Sequence, residues 1–321
     1  MDRLSVLRFT SMNDAAVATG EPAPEVLAAP RPVPRPRRRI LVTGAGGMLA
    51  SDLTPVLVAA GHDVFARPRA DLDITREAAV SRAFREVQPH IVVNCAAFTR
   101  VDDCETDPRG EEVNAAAVGI LAENCMRHPA QLVQISTDFV FDGAKRAPYT
   151  EEDAPNPLCA YGRGKRRGEE EALRVSQGLV VRSSWLFGAQ GWNFIEAILK
   201  QAESGKRLLT VVNDQTGRPT ATSDLSEAIL ALIDSGAVGV YHFANRGAVT
   251  WFDFAREILT LSEHPDIRVE PTDSAALGRP ARRPAYSVLD VSRYERVTGR
   301  PVRHYRDALI EYIARRSRPE A

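Results

Sequence analysis

Short runs of β-branched and aliphatic residues alternate with helical stretches from Ile40 onward, and this alternation constrains the fold most strongly. The predicted strands are residues 40–43, 63–66, 90–96, 132–136, 179–183 and 240–244, and the predicted helices lie around residues 49–60, 75–87, 110–127 and 161–176. Nearly continuous apolar strands separated by helices are typical of a parallel sheet covered on both faces. The sequence therefore predicts an α/β protein.

A glycine-rich turn follows the first predicted strand. Gly44 permits a tight turn, while Gly46 and Gly47 let the backbone approach a pyrophosphate, and the next helix offers free N–H groups to that anion. A purely structural turn is the alternative. The placement between strand and helix favours a Rossmann-type doubly wound parallel sheet that binds a dinucleotide.

The chain divides by composition. Residues 1–38 are rich in proline and end in arginines, which predicts a disordered tail. We assign residues 39–184 to the NAD(P)-binding domain, completed by about 222–246. The remaining segments, 185–221 and 247–318, predict a smaller C-terminal substrate lobe.

Composition limits the partners. The net charge of −1 over 321 residues gives no electrostatic argument for a nucleic-acid partner. No apolar run approaches the ~18–20 residues of a membrane span, and no secretory signal is evident. The four cysteines form no CxxC pair, so we expect no zinc-type metal site and a reducing, cytoplasmic location. A homodimer is left open.

The end of the second predicted strand bears on the choice of cofactor. NAD-preferring sites place an acidic residue about 20 positions after the glycines. Here the strand ends in Arg67-Pro-Arg69, and a guanidinium can pair with a 2′-phosphate. This favours NADPH, with NADH as the alternative.

Three segments carry candidate chemistry. Tyr161 and Lys165 are four residues apart, on one face of a predicted helix, where an ammonium would lower the pKa of the phenol. Thr137 and Asp138 follow an apolar strand, where a hydroxyl could bind a carbonyl oxygen and a carboxylate a sugar hydroxyl. Ala96 and Ala97 follow another strand and would allow close packing against a cofactor. Local capping is the alternative for Thr137.

Seven motifs along the chain jointly resemble a known family. They are TGAGGMLA, DLDIT, VVNCAAFTRVDDCE, ISTDFVFDG, YGRGK, VRSSWLFG and VVNDQTGRPT. In this order they resemble the extended short-chain dehydrogenase/reductases, and within them the dTDP-4-dehydrorhamnose reductase family, over about residues 39–315. The pair STDFVFDG and DQTGRPT is far more specific than the glycine turn.

The resemblance implies roles for individual residues. Thr137, Tyr161 and Lys165 carry over as the catalytic trio. Tyr161 and Lys165 are also expected to bind the cofactor, with Lys165 holding the nicotinamide ribose. The implied cofactor contacts are Gly47, Met48 and Leu49 at the phosphates, Asp73 and Ile74 near the adenine, and Ala97, Phe98 and Thr99 beside the nicotinamide half. Asp138 and Trp185 carry over to the sugar site.

Some positions depart from the family pattern. Met48 stands where glutamine is common, Ala50 where the last glycine lies, and Cys104 where lysine is frequent. Phe98 and Phe139 occupy positions that often hold tyrosine or histidine. None of these changes affects Tyr161 or Lys165.

The resemblance implies reduction of a 4-keto-6-deoxy nucleotide sugar by NADPH. Arg218 and the arginines at 279, 282 and 283 are candidate diphosphate ligands. A nucleotide-sugar dehydratase or epimerase is the nearest alternative, but dehydratases place a glutamate where this chain has Phe139. A regulatory subunit without turnover is the other alternative, and the presence of both Tyr161 and Lys165 favours an enzyme.

Overall fold

The computed structural model describes residues 36–316. The predicted tail at residues 1–38 therefore lies outside the described residues except for 36–38, where the Arg37 guanidinium pairs with the Asp63 carboxylate. The strands in chain order are β1 Arg39–Thr43, β2 Asp63–Arg67, β3 Ile91–Asn94, β4 Gln131–Thr137, β5 Leu179–Ser183, β6 Leu186–Phe187, β7 Leu208–Val212, β8 Thr216–Gly217, β9 Thr220–Ala221, β10 Gly239–His242, β11 Val249–Thr250 and β12 Arg268–Thr272.

Helices connect these strands. They are α1 Met48–Ala59, α2 Glu77–Val87, α3 Arg109–Glu111, α4 Ala117–Arg127, α5 Ala160–Leu173, α6 Phe194–Glu203, α7 Thr222–Asp234, α8 Trp251–Leu261, α9 Ser274–Leu277, α10 Ser292–Thr298 and α11 Tyr305–Arg316. A π-helix spans Glu112–Ala116, and 3₁₀ turns span Asp103–Glu105 and Asp138–Val140.

Six strands form one parallel sheet in the order β10-β5-β4-β3-β1-β2. The chain leaves β1 for β2 on one side and then crosses to β3 on the other, so the strand order reverses between β1 and β3. Ligands of open α/β sheets bind in the crevice at the carboxyl ends of the strands where this reversal occurs. The predicted α/β fold with its parallel sheet is confirmed.

Apolar side chains of the strands are buried on both faces of this sheet. Val42 and Val93 pack with α1 and α7 on one face, while Leu41 and Val92 pack with α2 and α4 on the other. Because both faces are covered, strands such as β1, β3 and β5 contain runs of three consecutive apolar residues, which is why their sequence pattern predicts them well.

Two predicted elements differ from the structure. The strand predicted at 90–96 ends at Asn94, because the chain then leaves the sheet and its Ala96 backbone packs against Gly44. The helix predicted at 110–127 is interrupted by the π-helix. Such single-turn widenings have no clear hydrophobic periodicity and often occur at functional sites.

The segments after β5 build a third apolar core. It includes Ile198 of α6, Phe254 of α8 and Leu309 of α11, packed on Leu209 of β7. β7 pairs with β12 in a separate parallel ribbon. Thr250 caps α8 by accepting a hydrogen bond from the Asp253 amide at 3.1 Å.

Candidate active site

The glycine turn after β1 has the geometry of an anion site. Gly44 has a φ of +67°, and a Cβ there would lie 2.7 Å from the Ala96 amide nitrogen, so only glycine fits. A Cβ on Gly46 would meet no atom within 4 Å. Gly47 precedes α1 and has no side chain to cap it, so the N–H groups in the first turn of α1 are available to an anion. These features fit the pyrophosphate of a dinucleotide.

A cavity of about 250 Å³ adjoins this turn. The predicted cofactor residues that line it are Gly44, Gly46, Gly47, Asp73, Ile74, Ala96, Ala97 and Phe98. Arg69, Leu72, Cys95 and Val113 complete the lining. The structure thus brings together the glycine turn, the segment after β2 and the segment after β3, as a bound dinucleotide requires.

Six other predicted cofactor residues are not in this lining, and two of them, Tyr161 and Lys165, belong to the catalytic trio described below. Met48 packs its side chain near Gly188 and Gly191. The Leu49 side chain, also on α1, is buried in the apolar core. Arg67 contributes its carbonyl to the Ala45 amide, and Thr99 is exposed. Their proposed contacts with a cofactor stay predictions, whereas Arg69 lies at the cavity itself.

Asn114, in the π-helix, holds the Phe98 backbone in place. Its Oδ1 accepts from the Phe98 amide and its Nδ2 donates to the Phe98 carbonyl, both at 2.9 Å. The sequence analysis missed this residue. An asparagine directly before the apolar run AAAVGILA was the available signal, and in the structure its side chain is buried with both polar atoms paired.

Tyr161 and Lys165 lie in the first turns of α5, which faces the carboxyl end of β4. The Lys165 amine is buried and donates to the Ile135 carbonyl at 2.6 Å. The Thr137 side chain lies beside the Tyr161 phenol, whose pKa it lowers, and the Phe139 ring meets the phenol edge-on at a centroid distance of 5.6 Å. The predicted trio is therefore gathered at one edge of the sheet.

The pKa of Tyr161 corrects one expectation. Burial raises the pKa of the phenol, and the Thr137 side chain opposes this rise. The expected lowering by Lys165 does not prevail over burial, and the lysine amine donates its hydrogen bond to the Ile135 carbonyl. The phenol is therefore held in its protonated form, ready to donate.

Lys165 links this trio to the cofactor cavity. Burial lowers the pKa of its amine to about 8, against the opposing charge of Glu169. The ammonium also acts on the Cys95 thiol, and Cys95 lines the cavity beside the glycine turn. The charge of the amine thus reaches a residue of the cavity lining.

Asp138 is buried at the end of β4. Its carboxyl accepts hydrogen bonds from the Ser287 hydroxyl and, at 3.1 Å, from the Thr137 hydroxyl. Burial raises the pKa of Asp138 to about 6, although these hydrogen bonds oppose the rise. Asp138 therefore connects Thr137 to Ser287, near the second cavity described next.

A second cavity, of about 350 Å³, opens beyond Phe139. Trp185 lines it and stacks on Trp251 with ring centroids 3.5 Å apart. A Cβ on Gly217 would lie 2.4 Å from the Trp185 ring, so glycine is required beneath the indole. Flat aromatic walls with a few polar groups suit a nucleotide base or sugar. Trp251, which also lines this cavity, was missed by the sequence analysis.

Three of the four candidate arginines line cavities, and the fourth, Arg218, is hydrogen-bonded to the backbone. Arg279 and Arg283 line the second cavity. Arg282 lines a neighbouring one. Arg218 instead donates to the Leu289 carbonyl at 2.6 Å, and burial lowers its pKa. Its role as a phosphate ligand stays a prediction.

Among residues 36–316 no cluster of His, Cys, Asp or Glu could hold a metal ion. Within the same range no helix is long and apolar enough to cross a membrane.

Comparisons with known proteins agree with this geometry. Residues 38–318 match the family model described as RmlD substrate binding domain. A dTDP-4-dehydrorhamnose reductase from Streptomyces griseus is 44% identical over 87% of this chain and 94% of that protein. A probable dTDP-4,6-dihydroxy-2-methyloxan-3-one 4-ketoreductase from Streptomyces antibioticus is 43% identical over 85% of this chain and 94% of that protein.

A solved structure extends the likeness to three dimensions. The dTDP-4-dehydrorhamnose reductase of Bacillus anthracis, in complex with NADP, superposes with a TM-score of 0.82 at 32% identity, covering 87% of this chain and 99% of the other. The family model and these relatives each span most of the described residues. The chain belongs to the dTDP-4-dehydrorhamnose reductase (RmlD) family.

Proposed function

We propose that this protein is an NADPH-dependent oxidoreductase that reduces the 4-keto group of a 6-deoxy nucleotide sugar, converting dTDP-4-dehydrorhamnose to dTDP-rhamnose. The observation that carries the proposal is the meeting of Tyr161, Lys165 and Thr137 at the end of β4. This trio adjoins the glycine-turn cavity through Cys95 and the Trp185 cavity through Phe139.

The glycine turn and Lys165 would hold NADPH, which supplies the hydride for the carbonyl carbon. Tyr161 gives its proton to the carbonyl oxygen as negative charge develops there, and Thr137 orients that oxygen. Donors placed before the reaction contribute roughly 3 kcal/mol each to such a transition state. The raised pKa of Tyr161 keeps the proton in place until it is needed.

Arg69 supports NADPH as the cofactor. Its side chain borders the glycine-turn cavity, and its guanidinium is only loosely paired, 3.8 Å from the Asp73 carboxylate. An exposed guanidinium at this place suits a 2′-phosphate. The related Bacillus anthracis reductase was solved with NADP.

Phe139 separates this proposal from dehydration. A dehydratase needs an acid or base directly after the residue at Asp138, and a phenyl ring can be neither. The Phe139 ring instead packs against Tyr161 and lines the Trp185 cavity. This position therefore favours simple reduction.

The test is NADPH oxidation by the purified protein with a panel of keto-sugar nucleotides. We expect turnover with dTDP-4-dehydrorhamnose and formation of dTDP-rhamnose. Faster turnover of the 4-keto sugar named for the Streptomyces antibioticus relative would assign that second substrate instead. No NADPH oxidation with any member of the panel would contradict the proposal.

We further propose that the protein works in the cytoplasm as a homodimer. NADPH and nucleotide sugars are cytoplasmic metabolites, which supports the location. Light scattering on the purified protein and fractionation of expressing cells test the two statements separately.

A further inference from the structure

Glu169 is a fully buried carboxylate on α5, 0% exposed, that the proposed mechanism does not use. Arg182 of β5 binds it through two hydrogen bonds, Nε to Oε1 and Nη2 to Oε2, both 2.7 Å. Ser136 of β4 donates to Oε1 at 2.6 Å, and Arg166 donates to Oε2 at 3.1 Å. The carboxylate is thus fixed from three elements.

Glu169 continues the helix stripe that carries Tyr161 and Lys165, since the three residues follow one another at intervals of four. Three consecutive residues of β4 contact this stripe. The Ile135 carbonyl accepts from Lys165, the Ser136 hydroxyl donates to Glu169, and the Thr137 side chain lies beside the Tyr161 phenol. The last contact holds the proposed proton donor, and the first two fix the helix around it.

We propose that Glu169, held by Arg182, is a positioning residue for Lys165: it fixes α5 against the end of β4 and supplies the negative charge that keeps the buried amine protonated. This inference rests on the proposed function, in which a charged Lys165 binds the cofactor beside Tyr161. It extends the motif Tyr-x-x-x-Lys to Tyr-x-x-x-Lys-x-x-x-Glu.

The surrounding charges support an electrostatic role. The groups that act on Lys165 are Glu169 on its own helix and the Cys95 thiol after β3. Beyond Glu169, the Arg182 guanidinium faces the His242 ring of β10 at 3.4 Å. Burial and Arg182 lower the pKa of His242 to about 3, so that ring adds no positive charge near neutrality.

A purely structural role explains less. A buried ion pair often adds no net stability compared with apolar residues of similar volume. Glu169 lies one helical turn from Lys165, and its charge acts on the lysine amine.

The experiment compares Glu169→Gln with Glu170→Gln, its matched control. Glu170 is the next residue on α5, its side chain is 54% exposed, and it pairs with Arg166. For each protein, NADPH affinity is measured by fluorescence, and kcat/KM by turnover, across pH. We expect the high-pH decline of both quantities to move down by about one pH unit in E169Q, because Lys165 loses its counter-charge. E170Q should match the wild type.

Two further variants separate positioning from folding. Glu169→Gln leaves Arg182 buried without its partner, which destabilises the protein. The double variant Glu169→Gln/Arg182→Met removes both charges, so it should regain stability yet keep the displaced decline. Glu169→Asp retains the charge, so its decline should lie near that of the wild type.

The inference would be overturned if NADPH affinity and kcat/KM declined at the same pH in E169Q, or in the double variant, as in the wild type. It would also be overturned if the decline in E169D lay at as low a pH as in E169Q. A wild-type protein that neither binds NADPH nor turns over would instead contradict the proposed function. An active wild type with an unmoved decline in the variants contradicts only the role of Glu169.

Discussion

At the amine of Lys165, burial and one carboxylate act in opposite directions. Burial favours the neutral amine, while Glu169 favours the ammonium, and the balance leaves the pKa at about 8. At Asp138 burial prevails over two hydrogen bonds and raises the pKa to about 6. Both groups therefore titrate within reach of neutral pH, unlike their exposed counterparts.

The first prediction concerns Lys165. Its pKa is lowered from 10.5 to about 8, so the ammonium is present below about pH 8 and is lost as the pH rises through that value. NADPH affinity and kcat/KM should both decline above about pH 8. A pH profile of each quantity for the wild type and for Lys165→Met checks this. A profile that stays flat to about pH 10 would contradict it.

The second prediction concerns Asp138. Its pKa is raised from 3.8 to about 6, so between these values the folded protein holds a proton that the unfolded chain has lost. The free energy of unfolding of the wild type, relative to that of Asp138→Asn, should therefore fall by roughly 3 kcal/mol as the pH rises from about 4 to about 6. Urea unfolding at several pH values measures it. Parallel curves for the two proteins would show that Asp138 titrates normally.

At the scale of elements, α5 is pressed closely onto its neighbours. A Cβ on Gly162 would lie 2.2 Å from the Phe139 carbonyl oxygen, and one on Gly168 would lie 2.2 Å from the Asn114 carbonyl oxygen. Only glycine allows this approach, which brings Tyr161 and Lys165 within reach of β4 and of the π-helix.

The third prediction tests this close packing. Gly168→Ala should destabilise the protein by about 2 kcal/mol or more, because its Cβ meets a backbone atom that is hard to move. Gly164→Ala is the matched control on the same helix. Its Cβ would lie 3.4 Å from the Asn114 side chain, an ordinary contact, so the gain in helix propensity of up to about 1 kcal/mol should prevail. Urea unfolding of both variants measures the difference, and equal stabilities would refute the packing argument.

These elements differ in how well the sequence predicts them. The six strands of the parallel sheet are predicted within a few residues, because burial on both faces leaves an unmistakable apolar pattern. The glycine turn is predicted because its chemistry is local. Asn114 and Trp251 were missed, since each acts through a residue distant in sequence, Phe98 and Trp185 respectively. Glu169 stands four residues after Lys165, but its ion pair with Arg182 joins α5 to β5 and is not visible in the sequence.

At the scale of the whole molecule, an ion pair joins the segment after β3, which borders the glycine-turn cavity, to the wall of the Trp185 cavity. Arg283 binds the Asp102 carboxylate through two hydrogen bonds, of 3.0 and 2.9 Å, and the Ala281 amide adds a third at 3.2 Å. Asp102 follows β3, whereas Arg283 borders the Trp185 cavity. The guanidinium holds the pKa of Asp102 below its usual range.

The fourth prediction follows from this connection. Arg283→Lys loses the two-pronged geometry, so the wall of the Trp185 cavity should loosen. We expect KM for the nucleotide sugar to rise about tenfold, as for a loss of about 1.4 kcal/mol, with NADPH affinity unchanged. Arg268→Lys, an exposed arginine of β12, is the control. An unchanged KM in R283K, or an equal loss of NADPH affinity, would contradict the connection.

The account depends above all on Tyr161 as the proton donor, and Tyr161→Phe tests it most directly. The variant keeps the ring and its edge-on contact with Phe139 but lacks the hydroxyl. Turnover of the keto-sugar nucleotide and NADPH affinity are measured on the same preparation. The account predicts that kcat falls by about 10²–10⁴-fold while the Kd for NADPH stays within about twofold. Turnover close to that of the wild type, in a variant that still binds NADPH, would contradict it.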